Sequence, residues 1–81
     1  MKTMKTKMWV VHYGNELLHH EIGRFSSEKE ARKFGYEYAQ KNADRFRSIW
    51  TMYTNGEGWT VCDFGSWSEF LLIKEVEEFG P

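Results

Sequence analysis

The middle third of the chain constrains the fold most strongly, because it reads as a helix followed by a β-hairpin. Ser27 and Glu30 have the spacing of a capping box, with Ser26 as a rival cap one residue earlier. Farther on, two runs rich in aromatic and β-branched residues, 49–53 and 59–64, flank an Asn-Gly-Glu-Gly stretch typical of turns. A helix feeding an antiparallel hairpin predicts an α+β fold.

The size and composition of the chain predict a single cytoplasmic domain. The 81 residues are 41% hydrophobic with a net charge of −1, which is unlike a disordered chain. The longest apolar run, residues 70–73, is far shorter than the roughly 20 residues that span a membrane. The lone Cys62 allows no intrachain disulfide, and no complete signal peptide is recognisable. We expect residues 1–7 to form a frayed N-terminal tail.

The predicted helix covers residues 27–42 and presents one stripe to a sheet. The stripe follows helical spacing and consists of Ala31, Phe34, Gly35, Tyr38 and Asn42. Gly35 costs about 1 kcal/mol of helix propensity relative to alanine. Close approach of a strand to the helix would explain a glycine there.

A first hairpin is predicted before the helix, with strands at residues 8–13 and 17–25 joined by a two-residue turn at Gly14-Asn15. This register places two sets of side chains on opposite faces. The set that resembles a core is Trp9, Val11, Tyr13, Leu18, His20 and Ile22. The other set is Met8, Val10, His12, Leu17, His19 and Glu21.

The second hairpin is predicted with a loop of two residues, 55–56, or of four residues, 55–58. These registers differ by two residues, so both give the same faces. Trp50, Met52, Trp59, Val61 and Asp63 share one face, and Ile49, Thr51, Tyr53, Thr60, Cys62 and Phe64 share the other.

The segment from Ser66 onward fits two structures. Ser66 and Glu69 have capping-box spacing and Gly80 is a possible C-cap, which favours a helix. Residues 70–76 read equally as a strand after a turn. We favour the helix. The predicted fold is therefore an antiparallel sheet of three to four strands with one principal helix on one face and a C-terminal element that is helix or strand.

Aromatic side chains exceed what one helix on a small sheet can bury. The chain has 4 Trp, 4 Tyr and 6 Phe, and each can bury about 150–250 Å². Exposed aromatic clusters mark interaction surfaces. We therefore expect a non-catalytic protein that docks on a protein partner, with homodimerisation as an alternative. The expected anchors are Trp50, Met52, Tyr53 and Trp59, and the groups expected to steer association are Arg45 and Arg47, or the acidic residues Glu75, Glu77 and Glu78.

A single-stranded nucleic-acid-binding module is the alternative function. Trp50, Tyr53 and Trp59 would stack on bases while Arg45 and Arg47 contact phosphates. Against this, the parity of the strand places Trp50 and Tyr53 on opposite faces, and the pI of about 6.3 is low for a nucleic-acid binder.

Metal binding and catalysis find little support in the sequence. His12 and His19 are diagonal neighbours in the predicted hairpin, about 7–8 Å apart at Cα, but no CxxC or HxxxH spacing accompanies them. Cys62 is predicted to be buried in a strand and inert. We expect no cofactor, no metal site, no membrane association and no enzymatic activity.

The helix start at residues 25–32, together with the strands 48–53 and 58–62, resembles small bacteriophage-encoded proteins that disable host defences, including anti-CRISPR proteins. The resemblance covers about half of the chain. It implies a short antiparallel sheet with one helix, and an inhibitor that occludes or remodels a host target by surface contact. No functional residue is carried over.

Overall fold

Five strands and one helix make up the part of the chain that the computed structural model describes, residues 5–48 and 50–79. The elements, in chain order, are β1 (Lys5–Gly14), β2 (His19–Phe25), α1 (Glu28–Asn42), β3 (Thr51–Thr54), β4 (Thr60–Asp63) and β5 (Phe70–Phe79). Residues 5–7, expected in the tail, belong to β1, whereas the predictions for residues 1–4, Ile49 and Gly80 lie outside the described residues. No helix in the described ranges is long and apolar enough to cross a membrane.

All strand pairs are antiparallel, and the strand order is β2-β1-β5-β4-β3. The predicted α+β fold with one helix is confirmed, but the sheet has five strands rather than three to four. The favoured C-terminal helix is wrong, because the segment is the central strand β5. Leu71 and Leu72 are consecutive residues of β5 that point to opposite faces of the sheet, and both are fully buried, as expected of a central strand.

The Ser66–Glu69 spacing that suggested the start of a C-terminal helix does correspond to a hydrogen bond, but this bond lies in a turn and not in a helix. The backbone N–H of Glu69 donates to Ser66 Oγ at 3.2 Å, the bond expected of a helix cap. Here it closes a turn directly before β5 rather than the first turn of a helix.

The helix α1 begins at the predicted cap, and its fully buried residues are Ala31 and Gly35 of the predicted stripe together with Ala39, which was not predicted. The N-cap is Ser27, whose Oγ accepts a hydrogen bond from the Glu30 N–H at 3.2 Å. Ala31 and Gly35 are buried toward the sheet. A Cβ built on Gly35 would lie 3.1 Å from Leu71 Cδ1 of β5, which confirms the close approach that the glycine indicated. Asn42, expected on the buried stripe, is exposed, and its side chain bonds the Tyr38 carbonyl.

The first hairpin has a longer loop than predicted. Gly14 pairs with His19, so residues 15–18 form a four-residue loop, and a β-bulge follows between Val11 and His12. The predicted faces of β1 are confirmed, with Val11 and Tyr13 in the core under the helix. Leu18, expected in that core, lies instead in the exposed loop.

In the second hairpin, each strand alternates as predicted, but the residues of β3 share a face with the other set of β4 residues. Asn55, rather than Thr54, faces Trp59, since the Asn55 N–H donates to the Trp59 carbonyl at 2.9 Å, and Gly58 adopts φ +86°. The loop therefore has three residues, 56–58, an odd number. Met52 lies opposite Cys62 and Tyr53 opposite Val61, a register one residue away from that expected.

Two layers of buried side chains hold the sheet. On the helix side, the core consists of Val11, Tyr13, Ala31, Ala39, Cys62, Phe64, Leu71 and Ile73. The face away from the helix, called here the open face, buries Val10, Val61 and Leu72 to 3% exposure or less although no helix covers it.

Candidate functional site

The open face is covered by side chains in place of a second layer of secondary structure. The Trp59 ring lies 4.5 Å from the His12 ring and 5.1 Å from the His19 ring, measured between centroids. The Lys74 ammonium is 5.3 Å from the Trp59 ring centroid and donates to the Glu57 carbonyl at 3.0 Å. These contacts account for the burial of the apolar residues on that face.

The two histidines, predicted to be diagonal neighbours, are in direct contact through their side chains. His12 Nδ1 and His19 Nδ1 are 2.8 Å apart, so one nitrogen donates a proton and the other must be unprotonated to accept it. Desolvation, and after it the neighbouring His19, lowers the pKa of His12 below its usual range. The contact therefore favours the uncharged form of His12.

The β1–β2 loop folds back across the open face and is bonded to the second hairpin through Glu16. The Tyr53 hydroxyl donates to Glu16 Oε1 at 2.5 Å, and the Asn55 amide donates to Glu16 Oε2 at 3.4 Å. The hydrogen bond to Glu16 raises the pKa of Tyr53. The loop is thus attached at its middle to β3 and at both ends to the first hairpin.

Leu17 and Leu18 are the most exposed large apolar side chains of the described residues, at 97% and 79%. Their backbone is nevertheless hydrogen-bonded within the loop. Asn15 Oδ1 accepts hydrogen bonds from the N–H of Leu17 at 2.9 Å and of Leu18 at 2.8 Å, and the Asn15 N–H donates to the Leu18 carbonyl at 3.0 Å. We call these two leucines and the turn that holds them the leucine loop.

Gly14 permits the tight entry into the leucine loop. Its φ is +143°, and a Cβ there would lie 2.4 Å from the Leu18 carbonyl oxygen. Any side chain at this position would force the loop to move. The two exposed leucines are therefore held out by a specific backbone conformation.

The surroundings of the leucine loop carry acidic groups. Glu16 lies within the loop, and Glu69 accepts a hydrogen bond from the Tyr13 hydroxyl at 3.1 Å beside it. A cleft of about 370 Å³ separates Leu18 from Glu69 and is also lined by His19 and His20. The two exposed leucines therefore project between two acidic side chains, Glu16 and Glu69.

The four predicted aromatic and methionine anchors do not form one surface. Trp50 packs on the helix side, with its ring 5.5 Å from Tyr36 and 5.7 Å from Phe64, and its Nε1–H donates to the Arg47 carbonyl at 2.6 Å. Met52, 45% exposed, lies on the same side, where Arg32 donates to its sulfur at 3.5 Å.

Tyr53 and Trp59 lie on the open face instead. Tyr53 is 42% exposed and bonded to Glu16, whereas Trp59 is half-buried against the histidines. The expected grouping of Trp50, Met52 and Trp59 on one face is wrong because the odd loop length shifted the register by one residue.

The two predicted arginines line a second cleft. Arg45 stacks over Trp67, with its guanidinium carbon 4.6 Å from the ring centroid, and Trp67 is 75% exposed. Arg47, Thr51 and Asp63 complete a cleft of about 270 Å³. Trp67 was not among the expected binding residues.

The remaining chemically reactive groups offer little. Cys62 is 1% exposed, and burial raises the pKa of its thiol to about 11, which agrees with the predicted inert residue. Among the described residues, no three His, Cys, Asp or Glu side chains are grouped to hold a metal ion.

Leu17, Leu18 and Trp67 are the exposed residues that the sequence reasoning missed. For the leucines a signal existed, because Asn15 precedes them and favours turns whose side-chain oxygen accepts from the following N–H groups. Reading Gly14-Asn15 as the whole turn placed both leucines in a strand.

No protein-family model, no curated protein and no solved structure matches this chain.

Proposed function

We propose that this protein is a non-catalytic binding protein that docks on a protein partner by inserting the leucine loop into an apolar groove. The observation that carries the proposal is the 97% and 79% exposure of two adjacent leucines on a hydrogen-bonded loop. Large apolar side chains that are held outward mark sites of interaction.

The energetics of such a contact are favourable. Burying a leucine side chain contributes about 1.5–3 kcal/mol, so two leucines would supply roughly 3–6 kcal/mol. The loop is already fixed by Asn15 and Glu16, so little further ordering opposes binding. Tyr53, next to Glu16, would extend the contact as one of the originally expected anchors.

The charges around the loop indicate the kind of partner. Glu16 directly precedes the leucines, and Glu69 lines the cleft beside Leu18. A groove rimmed by basic side chains would complement this surface. The same acidic groups are unfavourable next to an anionic lipid headgroup, so a protein groove is preferred to a membrane.

The resemblance to phage-encoded anti-defence proteins indicates what kind of partner the protein would bind. The partner would be a component of a host defence system in the cytoplasm, and the protein would inhibit it by occupying a surface. The proposal for the leucine loop does not depend on this identification.

The test compares a loop variant with a matched surface variant. The wild type captures its partner from a cell extract, and the purified partner is then titrated with wild type, Leu17→Ser/Leu18→Ser and Trp67→Ser. We expect the loop variant to bind at least about 100-fold more weakly, since about 3 kcal/mol is lost. Trp67→Ser should bind like the wild type, and all three should unfold at similar denaturant concentrations.

Equal binding of the loop variant and the wild type would overturn the proposal. Loss of binding in Trp67→Ser alone would also overturn it and would point to the arginine cleft.

Binding of single-stranded nucleic acid at the arginine cleft is the second candidate. It is favoured by the exposed Trp67 next to Arg45 and Arg47, a combination suited to stacking on a base and contacting phosphates. Asp63 in the same cleft opposes it. A labelled oligonucleotide titrated at several salt concentrations should show affinity falling linearly on a log–log plot. Absence of binding at low salt would exclude this candidate.

A further inference from the structure

Strand β3 forms one edge of the sheet and, although it is short, lacks the charge, proline and bulge that keep other edge strands from pairing. Its sequence, Thr-Met-Tyr-Thr, contains no charge and no proline, and all four residues are exposed. It pairs with β4 in an uninterrupted register. The opposite edge, β2, is protected by a bulge and by the Glu21–Arg24 ion pair at 2.9 Å.

The hydrogen-bond alternation of the hairpin identifies which β3 groups point outward. The Asn55 N–H donates to the Trp59 carbonyl, so Asn55 turns its backbone groups toward β4. In an antiparallel ladder this orientation repeats every second residue. Tyr53 and Thr51 therefore bond β4, whereas Met52 and Thr54 direct their N–H and C=O groups away from the sheet.

The two ends of β3 carry opposite charges. Arg45 and Arg47 precede the strand, and Arg47 is fixed by its N–H bond to the Phe64 carbonyl at 2.8 Å. Glu57, at the tip of the hairpin, follows it, and Glu16 is bonded to Tyr53 at the same end. An antiparallel neighbour with the same charge order would bring each basic end to an acidic end.

We propose that β3 pairs antiparallel with β3 of a second copy of this chain, so that the two sheets become continuous. Residues that face each other across such a pair point to the same side, so the twofold axis must pass through a residue. Placed at Met52, it brings the end of β3 that follows Arg47 in one copy to the end that precedes Glu57 in the other. The proposal goes beyond the docking function and does not involve the leucine loop.

A second copy fits this edge better than an unrelated strand. The edge is self-complementary in charge order, and with the axis at Met52 the outward N–H and C=O groups of Met52 in the two copies face each other, while those of Thr54 face Trp50 of the second copy. The net charge of −1 leaves little overall repulsion between copies. With only four residues in each strand the interface is small, so we expect a weak, concentration-dependent dimer.

Sedimentation across a concentration series, combined with amide hydrogen exchange, tests the pairing. We expect the dimer fraction to rise with concentration. Exchange of the Met52 and Thr54 amides should slow in parallel, whereas the Tyr53 amide, already bonded to β4, should not change. A strict monomer up to millimolar concentration would overturn the proposal, as would dimers in which the β3 amides exchange as in the monomer.

Two sets of variants sharpen the test. Met52→Lys places two like charges opposite each other at the axis and should weaken the dimer at least about tenfold. Gln40→Lys, exposed on the helix, is the control with the same charge change and should not weaken it. Equal dimerisation of Met52→Lys and Gln40→Lys would overturn the proposal.

A charge exchange tests the twofold arrangement. Arg47→Glu and Glu57→Arg should each weaken the dimer, because each brings like charges together at both ends of the pair. The double variant Arg47→Glu/Glu57→Arg should restore wild-type association. Additive weakening in the double variant would contradict the antiparallel pairing.

Discussion

The close approach of Gly35 to Leu71 predicts that Gly35→Ala destabilises the wild type but stabilises a variant with a smaller side chain at position 71. In the wild type, Gly35→Ala gains about 1 kcal/mol of helix propensity. Its new Cβ would lie 3.1 Å from Leu71 Cδ1, closer than ordinary van der Waals contact, and Leu71 is fully buried. Overpacking of this kind costs about 1–3 kcal/mol, so we expect a net loss of about 1 kcal/mol.

Shortening the neighbouring side chain should reverse this result. Leu71→Val removes both δ-carbons, which are the atoms nearest the new Cβ, and alone should cost about 1 kcal/mol. In that background Gly35→Ala keeps its helix gain without the clash, and should stabilise by about 1 kcal/mol. The coupling free energy between the two positions is then about 2 kcal/mol.

Urea denaturation of the wild type, the two single variants and the double variant measures this coupling. With a slope of about 1 kcal/mol/M for a small protein, 2 kcal/mol corresponds to a shift of about 2 M in the midpoint. Gln40→Gly, at an exposed helix position, is the control and should cost about 1 kcal/mol in both backgrounds. An equal effect of Gly35→Ala in both backgrounds would refute the reasoning.

Three other substitutions or conditions have expected outcomes. The pKa of His12 is lowered in the folded protein, so its contribution to stability is complete above pH 6.5 and is lost as the pH falls toward the folded pKa. The urea midpoint should therefore fall less between pH 8 and pH 5 in His12→Gln than in the wild type. Ser27→Ala should cost about 1 kcal/mol in urea denaturation, whereas Ser26→Ala should cost almost nothing, since only Ser27 caps the helix. Cys62 should react with a thiol reagent only in denaturant, because it is buried and its pKa is about 11; rapid reaction in native buffer would contradict this.

Local signals in the sequence predicted the helix and the first strand well. The Ser27 cap depends on a contact within a few residues, and the glycine on the helical stripe indicated the close approach to β5 that the structure has. The alternation of β1 was equally readable, because its helix-side residues Val11 and Tyr13 alternate with the residues of the open face.

The second hairpin was mispredicted because its faces depend on a single residue of loop length. Two- and four-residue loops give one set of faces, and the three-residue loop that ends at Gly58 gives the other. The sequence contains a glycine at both Gly56 and Gly58, so it permits all three loops. The predicted anchor surface of Trp50, Met52 and Trp59 was lost through this ambiguity.

The C-terminal strand and the leucine loop were mispredicted for related reasons. Leu72 and Ile73 satisfy a helical pattern as well as a strand buried on both faces, and only the presence of β1 and β4 on either side decides between them. The exposure of Leu17 and Leu18 follows from the loop folding back to Tyr53, a contact between residues 37 positions apart in the sequence.

The position of β5 governs the order in which the molecule can assemble. It is the strand that joins the two hairpins, with β1 on one side and β4 on the other. During synthesis on the ribosome, each hairpin is free to form soon after it emerges, but they remain unconnected until residues 70–79 leave the exit tunnel. Such distant pairing slows folding. The nascent chain therefore carries two separate hairpins with unpaired inner strands, β1 and β4, until residues 70–79 have been synthesised.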